Sequence, residues 1–416
     1  MTTNQNIPVL RFPEFGGEWK IHNLGDIAKF SKGKGISKAD IEMDGINECI
    51  RYGELYTQYS EVIKEVVSKT NIPLSELVIS SENDVIIPAS GETTLDIAKA
   101  SCVMKSGVAL GGDLNIIKTV HNGVFLSYYL NSKKKLDIAS MAQGISVVHL
   151  YSSQLSLLNL NLCSLPEQQK IASFLTAVDE KIQQLTSKKA LLEQYKKGVM
   201  QQLFSREIRF RPALSDLPRA ESRGVEGPEN GEDYPEWEER TLGDIGEVKM
   251  CRRVFNEQTS PDGEIPFYKI GSFGKKADAF ISRELYFDYR ERFSFPKKGD
   301  ILISAAGTIG RLVVYDGEEA YYQDSNIVWI ENDNTIILNQ FLYFALQLAK
   351  FNTEGGTIQR LYNSILKAKR IDCPSLPEQQ KIATFLSALD EKIGQVGQQL
   401  EQAKGWKKGL LQGMFV

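Results

Sequence analysis

Apolar residues alternate at spacings of four and three along two long stretches of the chain. The first stretch carries, in this register, Ile171, Leu175, Val178, Ile182, Leu185, Leu192, Val199 and Leu203. The second carries Ile382, Leu386, Leu389, Ile393, Val396, Leu400, Ala403, Leu410 and Met414. This spacing is typical of a coiled-coil seam, in which one stripe of each helix needs an apolar partner. The pattern therefore predicts two long helices.

Both stretches open with the same nine residues, SLPEQQKIA, at Ser164 and again at Ser375, an offset of 211 residues. The match extends to 17 of 22 positions. A serine followed three residues later by glutamate, with proline in the first turn, predicts a capping box at each helix start. A helix over residues 167–204 would be ~57 Å long. We expect the two helices to pair antiparallel, although the alternative of core helices in two ordinary domains stays open.

Other segments repeat in the same order, so the chain reads as two tandem units. EWKIHNLGDI (18–27) resembles EWEERTLGDI (236–245), DLNI (113–116) resembles DSNI (324–327), and a Leu-Tyr pair stands at 150–151 and 361–362. The unit ends, YKKGVMQQLF (195–204) and WKKGLLQGMF (406–415), also match. LRFPEF near the N-terminus is similar to the IRF that follows the first helix. The units share a frame, while most residues between the matched segments differ.

The regions before the helices predict α+β domains. Strand-like runs such as VIIPAS (85–90), ILISAA (301–306) and IVWI (327–330) alternate with turns and with helical segments such as FLSYYL (125–130). The predicted fold is therefore α+β, with two globular domains in tandem, each followed by a long helix, and the helices forming an antiparallel, pseudo-twofold coiled coil. The predicted boundaries are 1–162 for the first domain, 163–204 for its helix, 205–234 for an acidic flexible connector, 235–373 for the second domain and 374–416 for its helix.

Composition limits the location and the kind of site. No unbroken apolar run approaches the length of a membrane span and no signal peptide opens the chain, so we expect a cytoplasmic protein. The five cysteines and three histidines are scattered without metal-ligand spacing, which argues against zinc and disulfide frameworks. The net charge of −4 is unusual for a nucleic-acid binder. Eight acidic residues against one basic residue in 221–239 account for it, so basic surfaces elsewhere remain possible.

Basic residues lie in loop-like stretches of both units, together with aromatic and amide residues. The candidate DNA contacts are Lys32, Lys34, Arg252, Arg253, Lys275, Lys276, Arg311 and Arg360. Lysine and arginine neutralise phosphates, and arginine also reads base edges in the major groove. Most such runs are only solvated surface, and the recurrence in both units is what favours binding. Gly91, Gly307 and Gly310 follow the matched strands and suit either the approach of a phosphate or a plain turn.

Sequence motifs for catalysis are missing. The chain has no phosphate-binding loop, no dinucleotide fingerprint and no HExxH. The repeated DEK (179–181 and 390–392) lies within the helical register and is interpreted as solvated or partner-facing helix surface. We therefore predict a chain without catalytic residues and without a metal site.

Three repeated features stand out together: the LPEQQKIA-type start of each long helix, the KKG near each helix end, and the EW…LGDI start of each divergent domain. With these features the chain resembles the specificity (S) subunit of Type I restriction-modification systems. The resemblance covers essentially the whole chain. It implies that each domain reads one half of a bipartite, asymmetric site in double-stranded DNA and that the helices set the spacer. It also implies two methyltransferase (M) subunits and restriction (R) subunits as partners, with S-adenosylmethionine, ATP and magnesium bound by those partners.

For docking of the methyltransferase subunits we favour the polar faces of the helices, including Glu167, Gln168, Glu378 and Gln379, although capping alone would explain the glutamates. Two alternatives remain. A non-catalytic coiled-coil scaffold would show the same helices without sequence-specific DNA binding. A self-sufficient nuclease or methylase would need a carboxylate cluster or cofactor loop.

Overall fold

The computed structural model describes residues 6–144, 147–212, 234–351 and 360–416. The chain divides into two units: unit 1 is Met1–Lys188 with Val396–Val416, and unit 2 is Lys189–Gln395. Each unit therefore contains a globular domain and one half of each long helix, whereas the sequence-based boundaries treated the helices as separate segments. Most of the predicted acidic connector, residues 213–233, lies outside the described part of the chain.

The globular domain of unit 1 is built on two small sheets. Its strands are β1 (Lys20–Asn23), β2 (Ala28–Lys32), β3 (Asn47–Ile50), β4 (Val62–Ile63), β5 (Ser68–Thr70), β6 (Val78–Ile79), β7 (Asp84–Pro88), β8 (Ser90–Gly91), β9 (Ser101–Val103), β10 (Ala109–Leu110), β11 (Leu114–Thr119), β12 (Val148–His149) and β13 (Asn159–Leu162). Its helices are α1 (Leu24–Ile27), α2 (Glu54–Thr57), α3 (Thr94–Ile97), α4 (Gly123–Ser132), α5 (Lys135–Met141) and α6 (Ser152–Leu155). The larger sheet has the order β2-β11-β7-β9-β4 and the smaller one β5-β3-β10-β6, with β1-β13 and β12-β8 as separate pairs.

The long helices are α7 (Leu165–Phe204) and α12 (Leu376–Gly413), which confirms the two helices predicted from the spacing. The seam residues Ile171, Leu175 and Val178 are buried in unit 1, and Ile382 and Leu386 are buried in unit 2. Within the described ranges, neither of these helices nor any other is both long and apolar enough to cross a membrane.

Unit 2 repeats the plan with different sheets. Its strands are β14 (Glu238–Thr241), β15 (Gly246–Met250), β16 (Ile265–Tyr268), β17 (Phe280–Ile281), β18 (Ile301–Ser304), β19 (Leu312–Val314), β20 (Tyr321–Tyr322), β21 (Ile327–Asn332) and β22 (Arg370–Cys373). Its shorter helices are α8 (Leu242–Ile245), α9 (Arg283–Arg292), α10 (Asn339–Leu348) and α11 (Asn363–Lys367). The sheet orders are β15-β21-β18-β19 and β17-β16-β20, with β14-β22 as a separate pair. The strand-like and helical runs read from the sequence are found where they were predicted.

Within each unit the two helix halves run antiparallel. In unit 1, Asp179 of α7 pairs with Lys407 of α12 at 2.7 Å. Near the start of α7, Arg11 bonds Glu167, and the amide of the preceding Leu10 donates to the carbonyl of Gly413 at the end of α12. Moving backward along α12 therefore corresponds to moving forward along α7. In unit 2, Lys196 pairs with Asp390 at 2.6 Å. The two ion pairs occupy equivalent positions of the repeat, because Asp390 lies 211 residues after Asp179 and Lys407 lies 211 residues after Lys196.

At the start of α12 the predicted capping box is not formed. The hydroxyl of Ser375 is buried and has no hydrogen-bond partner among the described residues. The carboxylate of Glu378 instead accepts from the guanidinium of Arg209, with Nη2 to Oε2 at 2.9 Å. A charge-assisted bond from arginine is about twice as strong as a neutral one, and it takes the carboxylate away from the helix start.

Candidate nucleic-acid interface

In unit 2, two of the predicted arginines are held by side chains that precede β21. Arg253 Nε donates to Asp324 Oδ2 at 2.8 Å, and Arg360 Nη2 donates to Asn326 Oδ1 at 2.9 Å. Both arginines are exposed. The DSNI segment, which the sequence marked only as a repeat, thus orients two cationic side chains at the end of a buried strand.

Arg311, Lys275 and Lys276 meet at a neighbouring turn. Arg311 Nη1 donates to the carbonyl of Phe273 at 2.7 Å, while both lysines are exposed one and two residues beyond Gly274. The same loop is tied to the DSNI segment, because the Ile270 amide donates to Gln323 Oε1 at 2.9 Å.

Arg252 completes the set in unit 2. Its guanidinium carbon lies 5.1 Å from the centroid of the Phe293 ring, and its carbonyl accepts from the Tyr321 hydroxyl at 3.1 Å. Burial raises the pKa of Tyr321, so this hydroxyl keeps its proton and donates. The six predicted basic residues of unit 2 therefore stand on loops that are linked to one another by these contacts, although the loops are far apart along the chain.

Unit 1 places its two predicted lysines on one turn. Lys32 ends β2 opposite Asn115 of β11, and its Nζ lies 5.7 Å from the centroid of the Tyr151 ring. Lys34 is exposed, and its amide donates to the carbonyl of Leu110 at 3.0 Å. The backbone of this turn is thus fixed while the lysine side chains stay accessible.

The structure adds residues that the sequence analysis missed. His149 is exposed, its Nδ1 lies 3.2 Å from Ser90 Oγ, and its ring stacks on Tyr151 with centroids 6.3 Å apart. Tyr56 donates its hydroxyl to the Ser90 carbonyl at 2.7 Å, and burial raises the pKa of this tyrosine. A basic, aromatic and imidazole cluster therefore surrounds β8. The repeated Leu-Tyr pair was the signal that could have found it.

At the three glycines that follow the matched strands, the structure favours turns and close packing. A Cβ on Gly91 would lie 3.0 Å from the Tyr56 hydroxyl, so this glycine is needed for close packing. Gly310, at φ +81°, lies against the ring of Phe351 and donates its amide to the Ser304 carbonyl at 2.9 Å. Gly307 is exposed at φ +63°, which favours glycine in a turn.

The prediction that Glu167, Gln168, Glu378 and Gln379 form a docking surface is wrong for these four side chains. Each is 2% exposed or less. Glu167 accepts two 2.8 Å bonds from the Arg11 guanidinium, and Glu378 accepts bonds of 3.1 and 2.9 Å from that of Arg209. Buried charges need such pairing, so these glutamates are structural.

The glutamines tie each globular domain to the start of its helix. Gln168 Oε1 accepts from the Asn122 amide at 3.1 Å, and its Nε2 donates to the Cys163 carbonyl at 2.8 Å. Gln379 makes the equivalent bonds, accepting from the Leu338 amide at 2.7 Å and donating to the Pro374 carbonyl at 2.8 Å. Their polar groups are used within the chain.

The DEK motif is likewise only partly solvent-facing. Asp179 also accepts from the hydroxyl of Tyr128 at 2.6 Å, so with its lysine partner it joins three elements of unit 1. Among the residues with described positions, no group of three or more His, Cys, Asp or Glu could hold a metal ion. All five cysteines are free.

Comparison with known proteins identifies the family. The model of the Type I restriction modification DNA specificity domain matches residues 16–194 and 234–404. The MjaVIII specificity subunit of a type I restriction enzyme from Methanocaldococcus jannaschii is 24% identical over 425 residues, which cover 97% of this chain and 92% of that protein. A Haemophilus influenzae protein assigned to the type I specificity subunits is 57% identical over 150 residues, but this match spans only 36% of this chain and 39% of that protein.

The fold is also similar to solved structures. The S subunit of the type I restriction-modification system from M. genitalium superposes with a TM-score of 0.63, at 17% identity and 99% coverage of both chains. A chain from a structure of type I restriction-modification complex assembly gives a TM-score of 0.51 at 16% identity, covering 94% of this chain and 96% of that one. Because the family model matches both repeated units, the chain belongs to the type I restriction-modification specificity subunits.

Proposed function

We propose that this chain is the DNA sequence-specificity subunit of a type I restriction-modification complex and that each globular domain reads one half of a bipartite, asymmetric site. The observation that carries the proposal is the repetition of one frame with different exposed side chains. Both units hold cationic residues on loops next to the central sheet, but those loops differ in sequence and contacts. Two unlike recognition surfaces on one chain suit two unlike half-sites.

Catalysis is assigned to partners. We propose two methyltransferase subunits, which use S-adenosylmethionine to methylate adenine at N6, and restriction subunits that use ATP and magnesium. The chain itself then positions these subunits and performs no chemistry. The acidic net charge is compatible with this role if partner subunits contribute to the basic DNA channel.

We propose that the methyltransferase subunits dock at an exposed aromatic residue that is repeated in the two units, and not at the buried glutamates. Tyr195 on α7 is 53% exposed and Trp406 on α12 is 54% exposed, and the two stand at the same position of the repeat. Each precedes a lysine pair. Large exposed aromatic side chains are enriched in protein interfaces, and one copy per unit fits two docked subunits.

We expect Tyr195→Ala and Trp406→Ala each to reduce the number of methyltransferase subunits bound per chain from two to one. Native mass spectrometry of the complex would give the count. Val314→Ala, at another exposed apolar residue of unit 2, is the control and should leave two subunits bound. Retention of both subunits in the aromatic variants would place docking elsewhere.

The function is tested by mapping methylated adenines in a host that carries this chain with its methyltransferase subunits. The expected result is one bipartite motif with unlike halves. A salt-dependent gel shift of the complex separates this function from a scaffold, because phosphate contacts make DNA affinity fall steeply with salt. A palindromic motif would contradict two unlike recognition domains, and methyl transfer by the purified chain alone would contradict the assignment of catalysis to partners.

A further inference from the structure

The segments 149–151 and 360–362 occupy the same place in the two units. Each has a buried leucine between two exposed residues: Leu150 is 0% exposed and Leu361 is 4% exposed. The Leu150 amide donates to the Ala89 carbonyl at 3.0 Å, and the Leu361 amide donates to the Ala305 carbonyl at 2.9 Å. The backbone that carries these segments is therefore anchored in the same way in both units.

The neighbouring strand residue is also paired in the same way. His149 stands opposite Ser90 in the β12-β8 pair, and Arg360 stands opposite Ala306 in an isolated bridge. The exposed residue before the leucine is thus aimed by an antiparallel pairing in each unit. The frame is constant, while the side chain on it changes from imidazole to guanidinium.

The two side chains offer different hydrogen-bond patterns. Asn326 holds one amino group of the Arg360 guanidinium, which leaves further N–H donors of the fork for a ligand. Ser90 engages Nδ1 of His149, which leaves Nε2 as the outward ring nitrogen for a single hydrogen bond. An arginine fork fits the O6 and N7 acceptors of guanine, whereas a single imidazole nitrogen does not.

Nearby groups supply the backbone contacts that a reading residue needs. Lys32 lies over Tyr151 beside His149, and Arg253 shares the DSNI segment with Arg360. Phosphate contacts fix the register of a protein on DNA, and side chains aimed at base edges then provide the specificity.

We propose that positions 149 and 360 are equivalent specificity-determining positions, at which Arg360 reads a guanine in one half-site and His149 makes a single base contact in the other. This inference rests on the proposed function. In this proposal the two half-sites differ at one base position because equivalent backbone segments carry different side chains, His149 in one unit and Arg360 in the other.

The test uses the full chain together with its own methyltransferase subunits and compares methylation motifs across variants. Arg360→Ala should broaden the bases accepted at one position of one half-site, with a loss of discrimination on the order of 10- to 100-fold, and leave the other half-site unchanged. Arg360→Lys should broaden the same position, since an ammonium cannot form the fork. His149→Ala should act only on the opposite half-site.

Arg370→Ala is the matched control, because Arg370 is an exposed arginine of the same unit whose side chain pairs with Glu239 at 2.7 Å. It should leave the motif unchanged. All three substituted positions are exposed, and circular dichroism of each variant checks that it folds.

Each outcome bears on one proposal. If the wild-type complex methylates no bipartite motif, the proposed function fails. If it does, but Arg360→Ala lowers methylation uniformly at every site without changing the motif, Arg360 binds phosphate and this inference is overturned. An unchanged motif in both Arg360→Ala and His149→Ala overturns it as well.

Discussion

At the scale of single residues, an ion pair between a partly exposed arginine and a buried glutamate joins each chain segment before a globular domain to the start of a long helix. The Arg11–Glu167 pair has side chains 13% and 2% exposed, and the Arg209–Glu378 pair 20% and 0%. Phe12 and Phe210, one residue further on, each pack edge-on against a phenylalanine of the adjacent helix. The LRF and IRF motifs thus each fix a chain segment to the start of a long helix through one ion pair and one aromatic contact.

Glu378→Gln should destabilise unit 2 by about 2 kcal/mol, because it replaces the buried carboxylate that accepts two charge-assisted hydrogen bonds from Arg209. Trp237 Nε1 also donates to Glu378 at 3.2 Å, so a second buried donor is affected. Urea unfolding measures the free energy. Glu401→Gln, at an exposed glutamate, is the control and should change it by less than ~0.5 kcal/mol. Equal effects of the two variants would contradict a structural role for the ion pair.

A histidine at the first helix junction predicts a pH dependence. His121 Nδ1 lies 3.1 Å from Gln168 Nε2, and burial, followed by the nearby His22, lowers the pKa of His121 below its ordinary value of 6.5. The folded state therefore takes up this proton less readily than the unfolded state, so stability present above pH 6.5 is lost as the pH falls.

The free energy of unfolding of the wild type should thus decrease between about pH 7 and pH 5, and His121→Asn should show a smaller decrease. Urea denaturation at several pH values measures both slopes. Asparagine keeps a hydrogen-bonding group beside Gln168 but cannot titrate. Parallel slopes would show that His121 does not contribute.

At the scale of elements, the antiparallel register of α7 and α12 is marked by one ion pair in each unit. The lysine of KKG meets the aspartate of DEK, and each lysine also lies over an aromatic ring: Lys196 is 5.1 Å from the Phe344 centroid and Lys407 is 5.4 Å from that of Tyr128. Both motifs were visible in the sequence, but their pairing was not, because the partners are 194 and 228 residues apart.

A double-mutant cycle on Lys196→Met and Asp390→Asn should give a coupling energy of about 1 kcal/mol, since Lys196 is only 13% exposed but Asp390 is 41% exposed. The corresponding cycle on Lys407 and Asp179 should give a larger coupling, because these side chains are 19% and 25% exposed. Urea unfolding of the single and double variants supplies both values. Lys189 with Glu193, an exposed pair within α7, is the control and should couple by less than ~0.5 kcal/mol.

At the scale of the whole molecule, α7 and α12 are the two segments that each continue from one unit into the other. Insertion of seven residues after Lys188 and seven after Gln395 keeps the heptad seam and adds ~10 Å of helix. If the helices set the spacer, the methylated motif should keep both half-sites and gain about three base pairs between them, at ~3.4 Å per base pair.

Methylation mapping reads the result directly. An insertion in α7 alone is the control and should reduce methylation, because it displaces the seam of one helix relative to the other. An unchanged spacer in the doubly extended chain would contradict the role of the helices as a ruler.

The sequence by itself determined the two long helices, the tandem plan, the α+β class and most of the cationic loop residues. These follow from local spacing, from the internal repeat and from residue type, all of which can be read along the chain. Tertiary structure decided which polar residues are available. Glu167 and Glu378 lie on helix starts that look solvated, yet folding buries them against arginines more than 150 residues away. His149 looked isolated, yet strand pairing places it where Arg360 stands in the other unit. Burial and juxtaposition depend on contacts between distant segments, which no local pattern contains.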